Sequence, residues 1–199
     1  MADLVAAVVG DDAQREPRRR RWRRNVAVGL VVIVGLFASA TTWLFLRPPP
    51  DDVRPVDAVV FFAGGRGERL ALAERLMAAG IADHLVVPNG LRPGWRAGNR
   101  VCGEPQPYTA FCPLTDPDTT RGEARVIAEL AAEHGWDEIV FVTSTYHVRR
   151  ARLALDRCFD GTVSAVAAPA KLPVASLGAR VAHELVGWTH ALVSTGDAD

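Results

Sequence analysis

Several signatures of well-defined chemistry are missing from this sequence. It has no Walker motif, which removes a P-loop nucleotide site. It has no G-x-S-x-G nucleophile elbow, which weakens any reading of Ser144 and His147 as a nucleophile and its base. No His/Cys/Asp cluster has a recognised ligand spacing, so no metal centre is expected. The dinucleotide fingerprint is incomplete, because Gly65-x-Gly67 is followed by Leu70, and the second apolar run ends in Asn89 where a ribose-binding acid would stand. No internal repeat is present. Net charge is absent too: 23 basic residues balance 23 acidic ones.

That neutrality hides an asymmetry. Arg15, Arg18 to Arg21, Arg23 and Arg24 crowd before a 21-residue stretch without charge, Val26 to Leu46. As a helix the stretch would be roughly 31 Å long, about the thickness of a bilayer's hydrocarbon core. Trp22 and Trp43 stand near its ends, where interfacial aromatics belong. A single-pass anchor over residues 25–46 follows, with the basic residues 1–24 on the cytoplasmic side and everything after Arg47 outside. The competing reading is a cleaved leader, since Ala38-Ser39-Ala40 has the small-x-small form of a cleavage site. Against it, the apolar run continues through Trp43-Leu44-Phe45-Leu46. Beside a spanning segment the arginines need no nucleic-acid partner to explain them.

Residues 47–56 are rich in proline and read as a stiff spacer, leaving 57–199 as the folded domain. Asp57 to Ala63, His84 to Pro88, Ile139 to Val142 and Thr162 to Ala167 are short apolar runs of the kind found in strands buried on both faces. Between and after them, apolar residues recur at helical spacing: Leu70 to Met77, Ala124 to Ala131, Val148 to Phe159 and Leu177 to Val193. The 28 residues from Leu91 to Asp118 show no sustained period and read as a long, ordered flap. The pattern predicts a three-layer α/β/α domain with a four-stranded, mainly parallel sheet in the order 2-1-3-4. Its switch point then lies between the first and third strands, where ligands of open parallel sheets bind.

That crevice gathers Gly64, Gly65 and Arg66 from one strand end and Ser144, Thr145 and His147 from the other. The glycines suit either a backbone cradle for an anion or simply a tight turn. His147 with Arg149 or Arg150 suits a phosphate or carboxylate, although Arg149 and Arg152 also fit a solvated helix face. Thr120-Arg-Gly-Glu123 has the form of a capping box, which competes with Glu123 as a general base. Asn89-Gly90 fits a turn as well as a binding loop, and His84 reads as structural. Outside the cytoplasm, Cys102 and Cys112 would staple the flap by closing a ten-residue loop. Cys158 reads as a buried thiol, or as a rival partner for Cys112.

Taken together, Asp57 to Gly65, Asn89-Gly90, Thr120-x-x-Glu123-Ala124 and Val142-Thr-Ser144-x-x-His147-x-x-Arg150-Ala151 resemble the YdcF/SanA/ElyC family of bacterial envelope proteins. Arg180 and Glu184 match a late Arg…Glu feature of that family. The cysteine-bearing flap and Thr120-Arg-Gly-Glu depart from its usual pattern, and the Arg- and Ala-rich style with the Thr-Arg-Gly-Glu-Ala-Arg variant looks actinobacterial. The resemblance implies a Rossmann-like domain behind a membrane anchor. It also implies a role in envelope integrity and peptidoglycan or lipid-carrier metabolism. The crevice reading puts Gly64, Gly65, Arg66, Asn89, Gly90, Thr120, Ser144, Thr145 and Arg150 around the ligand and Glu123 and His147 at the chemistry. The expected ligand is a phosphorylated envelope intermediate or lipid head group. The alternatives are a non-catalytic scaffold or sensor and an S-adenosylmethionine-binding protein, the last at odds with a domain outside the cell; no cofactor is specified.

Overall fold

The computed structural model describes residues 2–48, 51–64, 67–169 and 173–193. The chain divides into two units, Met1–Trp43 and Leu44–Asp199. The first belongs to one continuous helix, α1 (Ala2–Leu46), so the basic segment expected as a tail is helical as well. Its portion from Arg18 is long and apolar enough to cross a membrane, and Val26, Leu30, Ile33 and Phe37 are exposed along it.

The second unit is an α/β domain built on a fully parallel five-stranded sheet. The strands are β1 (Ala58–Phe61), β2 (His84–Val86), β3 (Thr109–Phe111), β4 (Glu138–Ser144) and β5 (Thr162–Ala168), in the order β3-β2-β1-β4-β5. The four apolar runs are therefore strands in the expected neighbour order, and count and order change by one added edge strand. That strand comes from the segment read as an irregular flap, which folds into α3 (Arg96–Gly103) and β3. The switch point lies between β1 and β4.

Period-two alternation along β1 divides the core. Ala58, Val60 and Phe62 pack with Ile139 and Phe141 against α4 (Thr120–His134) and α5 (Val148–Leu155), through Ala124, Ile127, Ala131, Val148, Ala151 and Leu155. Val59 and Phe61 face the other way, against Leu70, Ala73 and Met77 of α2 (Glu68–Ala78) and Val101 of α3. Burial on both faces is what made the strands read as unbroken apolar runs rather than alternating ones. The last helix, α6 (Val174–Val193), packs on α5.

Two details differ from the sequence reading. The cap of α4 is Thr119, one residue earlier than the capping box required: its Oγ1 accepts from Gly122 N at 3.1 Å, which releases Glu123 from any capping duty. The described residues of the proline-rich segment lie along the domain instead of standing off it. Asp51 accepts from Ala165 N of β5 at 2.7 Å and pairs with Arg152, and Val56 N donates to Ile81 O at 2.9 Å. Leu44 and Phe45 belong to this unit too; Phe45 is buried and meets Trp188 of α6 edge-on at 6.4 Å.

Cys102 and Cys112 form a disulfide that ties α3 to the end of β3, and Cys158 is a half-buried free thiol. The bridge leaves no room at Gly90, where a Cβ would overlap the Cys102 sulfur and press on Val87 O. Gly90→Ala should cost about 1–3 kcal/mol through overpacking, read as a lowered urea midpoint with an unchanged slope.

Candidate functional site

The loop leaving β1 is held from both faces of the sheet. From the α4 side, Glu123 Oε1 accepts from Ala63 N at 2.8 Å. From the α2 side, the Arg69 guanidinium donates through Nη1 to Phe62 O at 3.1 Å and Ala63 O at 2.5 Å, and through Nε to Ser144 Oγ at 2.7 Å. Arg69 is only 4% exposed, and a Cβ on Gly64 would lie 3.3 Å from its Nη1, so a buried cation sits directly behind the glycine turn. Gly64 takes φ +100°, a conformation that side chains other than hydrogen rarely tolerate, and this lets the backbone pass so close. Burial pushes the Glu123 carboxyl up to about 7, against the lowering effects of the Ala63 N–H bond and the Arg69 charge. Near neutral pH Glu123 is therefore divided between its two protonation states.

At the end of β4 the chain enters a 3-10 turn, Thr145–His147, and then α5. Ser144 Oγ accepts from Arg69 and donates to Glu68 Oε1 at 3.3 Å; Thr145 Oγ1 donates to Ala168 O at 3.2 Å. His147 and Arg150 converge on Glu184 of α6. The carboxylate takes Arg150 Nε at 2.7 Å on Oε2 and Nη2 at 3.0 Å on Oε1, while His147 Nδ1 lies 3.0 Å from Oε2. Arg150 Nη1 reaches Thr120 Oγ1 at 2.9 Å, so the same guanidinium joins α4, α5 and α6.

Burial alone would raise the Glu184 pKa, but the hydrogen bonds from His147 and Arg150 and the Arg150 charge outweigh it and hold the carboxyl at about 2. At His147 burial wins: it lowers the imidazole to about 4 despite the Glu184 carboxylate, whose charge the Arg150 fork already balances. The array is thus Arg⁺–Glu⁻–His⁰. An ionised carboxylate only accepts, so the Nδ1 of His147 carries the proton and Nε2 carries the lone pair.

On the other side of the β1 loop, a cavity of about 190 Å³ is lined by Phe61, Ala63, Gly64, Gly67, Asn89, Arg92 and Trp95. Trp95 stacks on Phe61 with centroids 5.7 Å apart. Asn89, at φ 55°, fastens the 113–118 segment to β2: Nδ2 donates to Thr115 Oγ1 at 2.6 Å and Asp118 Oδ1 at 3.0 Å, and Oδ1 accepts from Thr115 N at 3.1 Å. Arg92 pairs with Asp118 at the cavity's mouth.

The candidates therefore fall into two groups. Gly64 and Asn89 line the cavity, with Gly90 beside it against the disulfide; Glu123 touches its wall through Ala63. Ser144, Thr145, His147, Arg150 and Thr120 are bonded into the β4 side, and Arg150 is matched to Glu184 instead of standing as a free clamp. Gly65 and Arg66 lie outside the described residues. Arg69, Arg92 and Trp95 are additions that the sequence reading did not single out as site residues; Arg69 stands in the first turn of α2, where an arginine looks solvated. Among the described residues no group of three or more His, Cys, Asp or Glu is placed to hold a metal ion. No family model, curated protein or solved structure matches the chain.

Proposed function

We propose that this is a membrane-anchored, extracytoplasmic α/β protein that binds a phosphorylated cell-envelope intermediate and hydrolyses or transfers it. The binding place is the carboxyl-end rim of the sheet, around the β1 loop. The observation that carries this reading is the pairing of a buried cation with a tunable acid on one loop. Arg69 donates to three neutral oxygens behind Gly64, and Glu123, with a pKa of about 7, holds the adjoining Ala63 N–H. An anion seated on the glycine turn at the start of α2 gains both the Arg69 field and the helix N-terminus. Glu123, able to take or give a proton at neutral pH, is the acid–base group, and His147 is a second base through Nε2. The resemblance to the YdcF/SanA/ElyC family supports the envelope setting, and the arginines before Val26 support a cytoplasmic N-terminus.

A second reading is a sensor or scaffold without turnover. It is favoured by the closed Thr120–Arg150–Glu184–His147 array, which ties three helices together as a structural knot would.

Full-length protein in nanodiscs should be stabilised by inorganic phosphate, by about 2.7 kcal/mol at a hundred times its Kd. Arg69→Met should weaken that binding at least tenfold while near-UV circular dichroism stays native. Phosphate bound equally well by a folded Arg69→Met protein would remove the anion site from this loop. Turnover of a lipid-linked phosphate that drops about a hundredfold or more in Glu123→Gln would decide for the enzyme over the sensor.

A further inference from the structure

The segment between β2 and α4 hangs on one covalent bond. α3 has eight residues that include Gly98, Asn99 and Gly103, and its N-cap residue Trp95 makes no side-chain cap bond. β3 is three residues long and, at the edge of the sheet, pairs with β2 alone. Besides the disulfide, the main ties on α3 are the burial of Val101, the stack of Trp95 on Phe61, and an exposed pair between Arg100 and Glu74 that contributes little. Closing a loop of ten residues, as Cys102–Cys112 does, shifts a local opening equilibrium by about a hundredfold.

That bond sets the β2 side of the Trp95 cavity. α3 lies directly on the turn after β2: a Cβ at Gly98 would come within 2.5 Å of Gly90 O and 2.4 Å of Trp95 Cε3, and one at Gly90 within 2.2 Å of the Cys102 sulfur. Asn89 N donates to Pro113 O at 2.8 Å, one residue past Cys112, and the Asn89 side chain holds Thr115 and Asp118. Asn89, Arg92 and Trp95 are three of the residues that line the cavity. Both cysteines are half-buried, so a thiolate can reach the sulfurs from solvent. The strands β1 and β4 and the helices α4 and α5 share a core in which neither Cys102 nor Cys112 takes part.

From this placement we infer that Cys102–Cys112 is a redox switch on the Trp95 cavity. Oxidised, the pair holds α3 and β3 in place and fixes the β2-side wall; reduced, it frees residues 91–118 and opens that wall while the rest of the domain stays folded. The co-reactant is a protein dithiol. One of its thiolates attacks Cys102 or Cys112, and the S–S bond breaks as a mixed disulfide forms. Its second thiol then displaces the bound cysteine, so two electrons and two protons pass to this chain and the dithiol leaves as a disulfide. The switch goes beyond the anion site proposed above and needs no particular ligand. Cys158 packs against the other core and takes no part.

Hydrogen exchange of the full chain in nanodiscs, read by mass spectrometry with and without dithiothreitol, tests the switch. Reduction should speed exchange across α3, β3 and the 113–118 segment by at least about tenfold while β1, β4 and α4 keep their protection, and reoxidation should restore the first pattern. Acrylamide quenching of Trp95, taken as the difference between wild type and Trp95→Phe, should rise with it. Cys102→Ser combined with Cys112→Ser should show the open pattern without reductant and ignore dithiothreitol, whereas Cys158→Ser should respond as the wild type does. A disulfide that dithiothreitol leaves intact in the folded chain, or a reduced chain whose exchange rises less than about tenfold, overturns the inference. Loss of protection at β1 and β4 as well, on reduction or in the double variant, makes the bond a staple of the whole domain and overturns it too.

Discussion

Glu184→Ala should destabilise the α/β domain by about 3–5 kcal/mol, more than any other single substitution considered for this protein. Glu184 is 3% exposed and receives two donors from Arg150 and one from His147. Its removal strands a guanidinium and an imidazole N–H inside the protein and cuts the tie between α6 and α5. At about 2–4 °C per kcal/mol for a domain of this size, the melting temperature should drop by roughly 10 °C. Arg180→Ala, on the exposed side of the same helix, should move stability by about 0.5 kcal/mol or less. The contrast matters because the sequence pairs Arg180 with Glu184, whereas Arg150 is the arginine that Glu184 binds. The pH dependence has a definite sign. A carboxyl whose folded pKa is about 2 and whose ordinary value is 4.5 contributes stability above 4.5, and that contribution is lost as pH falls toward 2. Glu184→Ala should therefore narrow the gap to wild type in acid. A loss under 1 kcal/mol at pH 7 would show that the array is dispensable to the fold.

The fold was legible where one residue's environment sufficed to name its element. Val59, Val60, Val140 and Phe141 are fully buried from both sides, so their runs read as parallel strands without knowledge of neighbours. The unread parts are those where short elements depend on tertiary partners. α3 has eight residues including Gly98, Asn99 and Gly103, poor helix formers, and β3 has three; the disulfide, the stacking of Trp95 on Phe61 and the ladder to β2 supply what local sequence does not. The same limit applies to the site. Ser144, His147 and Glu123 are singled out because strand ends and helix starts meet at the switch point, and the fold places them around it. That Ser144 would be spent on Arg69 and Glu68, or Arg150 on Glu184, depends on contacts spanning 34 to 76 residues of chain. Two adjacent threonines also hid the cap of α4: choosing Thr120 over Thr119 is what made Glu123 look like a capping residue.

Glu123→Gln should turn a nearly flat pH dependence of stability into a rising one between about pH 4.5 and 6.5. Burial raises the Glu123 carboxyl from 4.5 to about 7, so across that window the fold keeps a proton that the unfolded chain gives up, and stability falls as pH rises. His147 acts in the opposite sense. Burial lowers it from 6.5 to about 4, so the unfolded chain takes a proton that the fold refuses, and stability rises with pH between 4 and 6.5. In the wild type the two slopes, each up to about 1.4 kcal/mol per pH unit, offset each other over most of the range. Glutamine keeps the oxygen that accepts from Ala63 N but cannot titrate, so the variant should expose the rising slope of His147. The variant should gain on wild type by an amount on the order of 3 kcal/mol between pH 4.5 and 7. Denaturant melts at half-unit pH steps measure this directly, and background carboxylates common to both proteins cancel in the difference. A flat difference would mean that Glu123 is ionised in the fold across the whole range and is no acid at neutral pH. Ligand binding supplies an independent check on the same proton. The negative charge of Glu123 opposes an anion on the Gly64 turn, so wild-type phosphate affinity should weaken as pH rises through about 7, while that of Glu123→Gln should follow only the titration of phosphate itself.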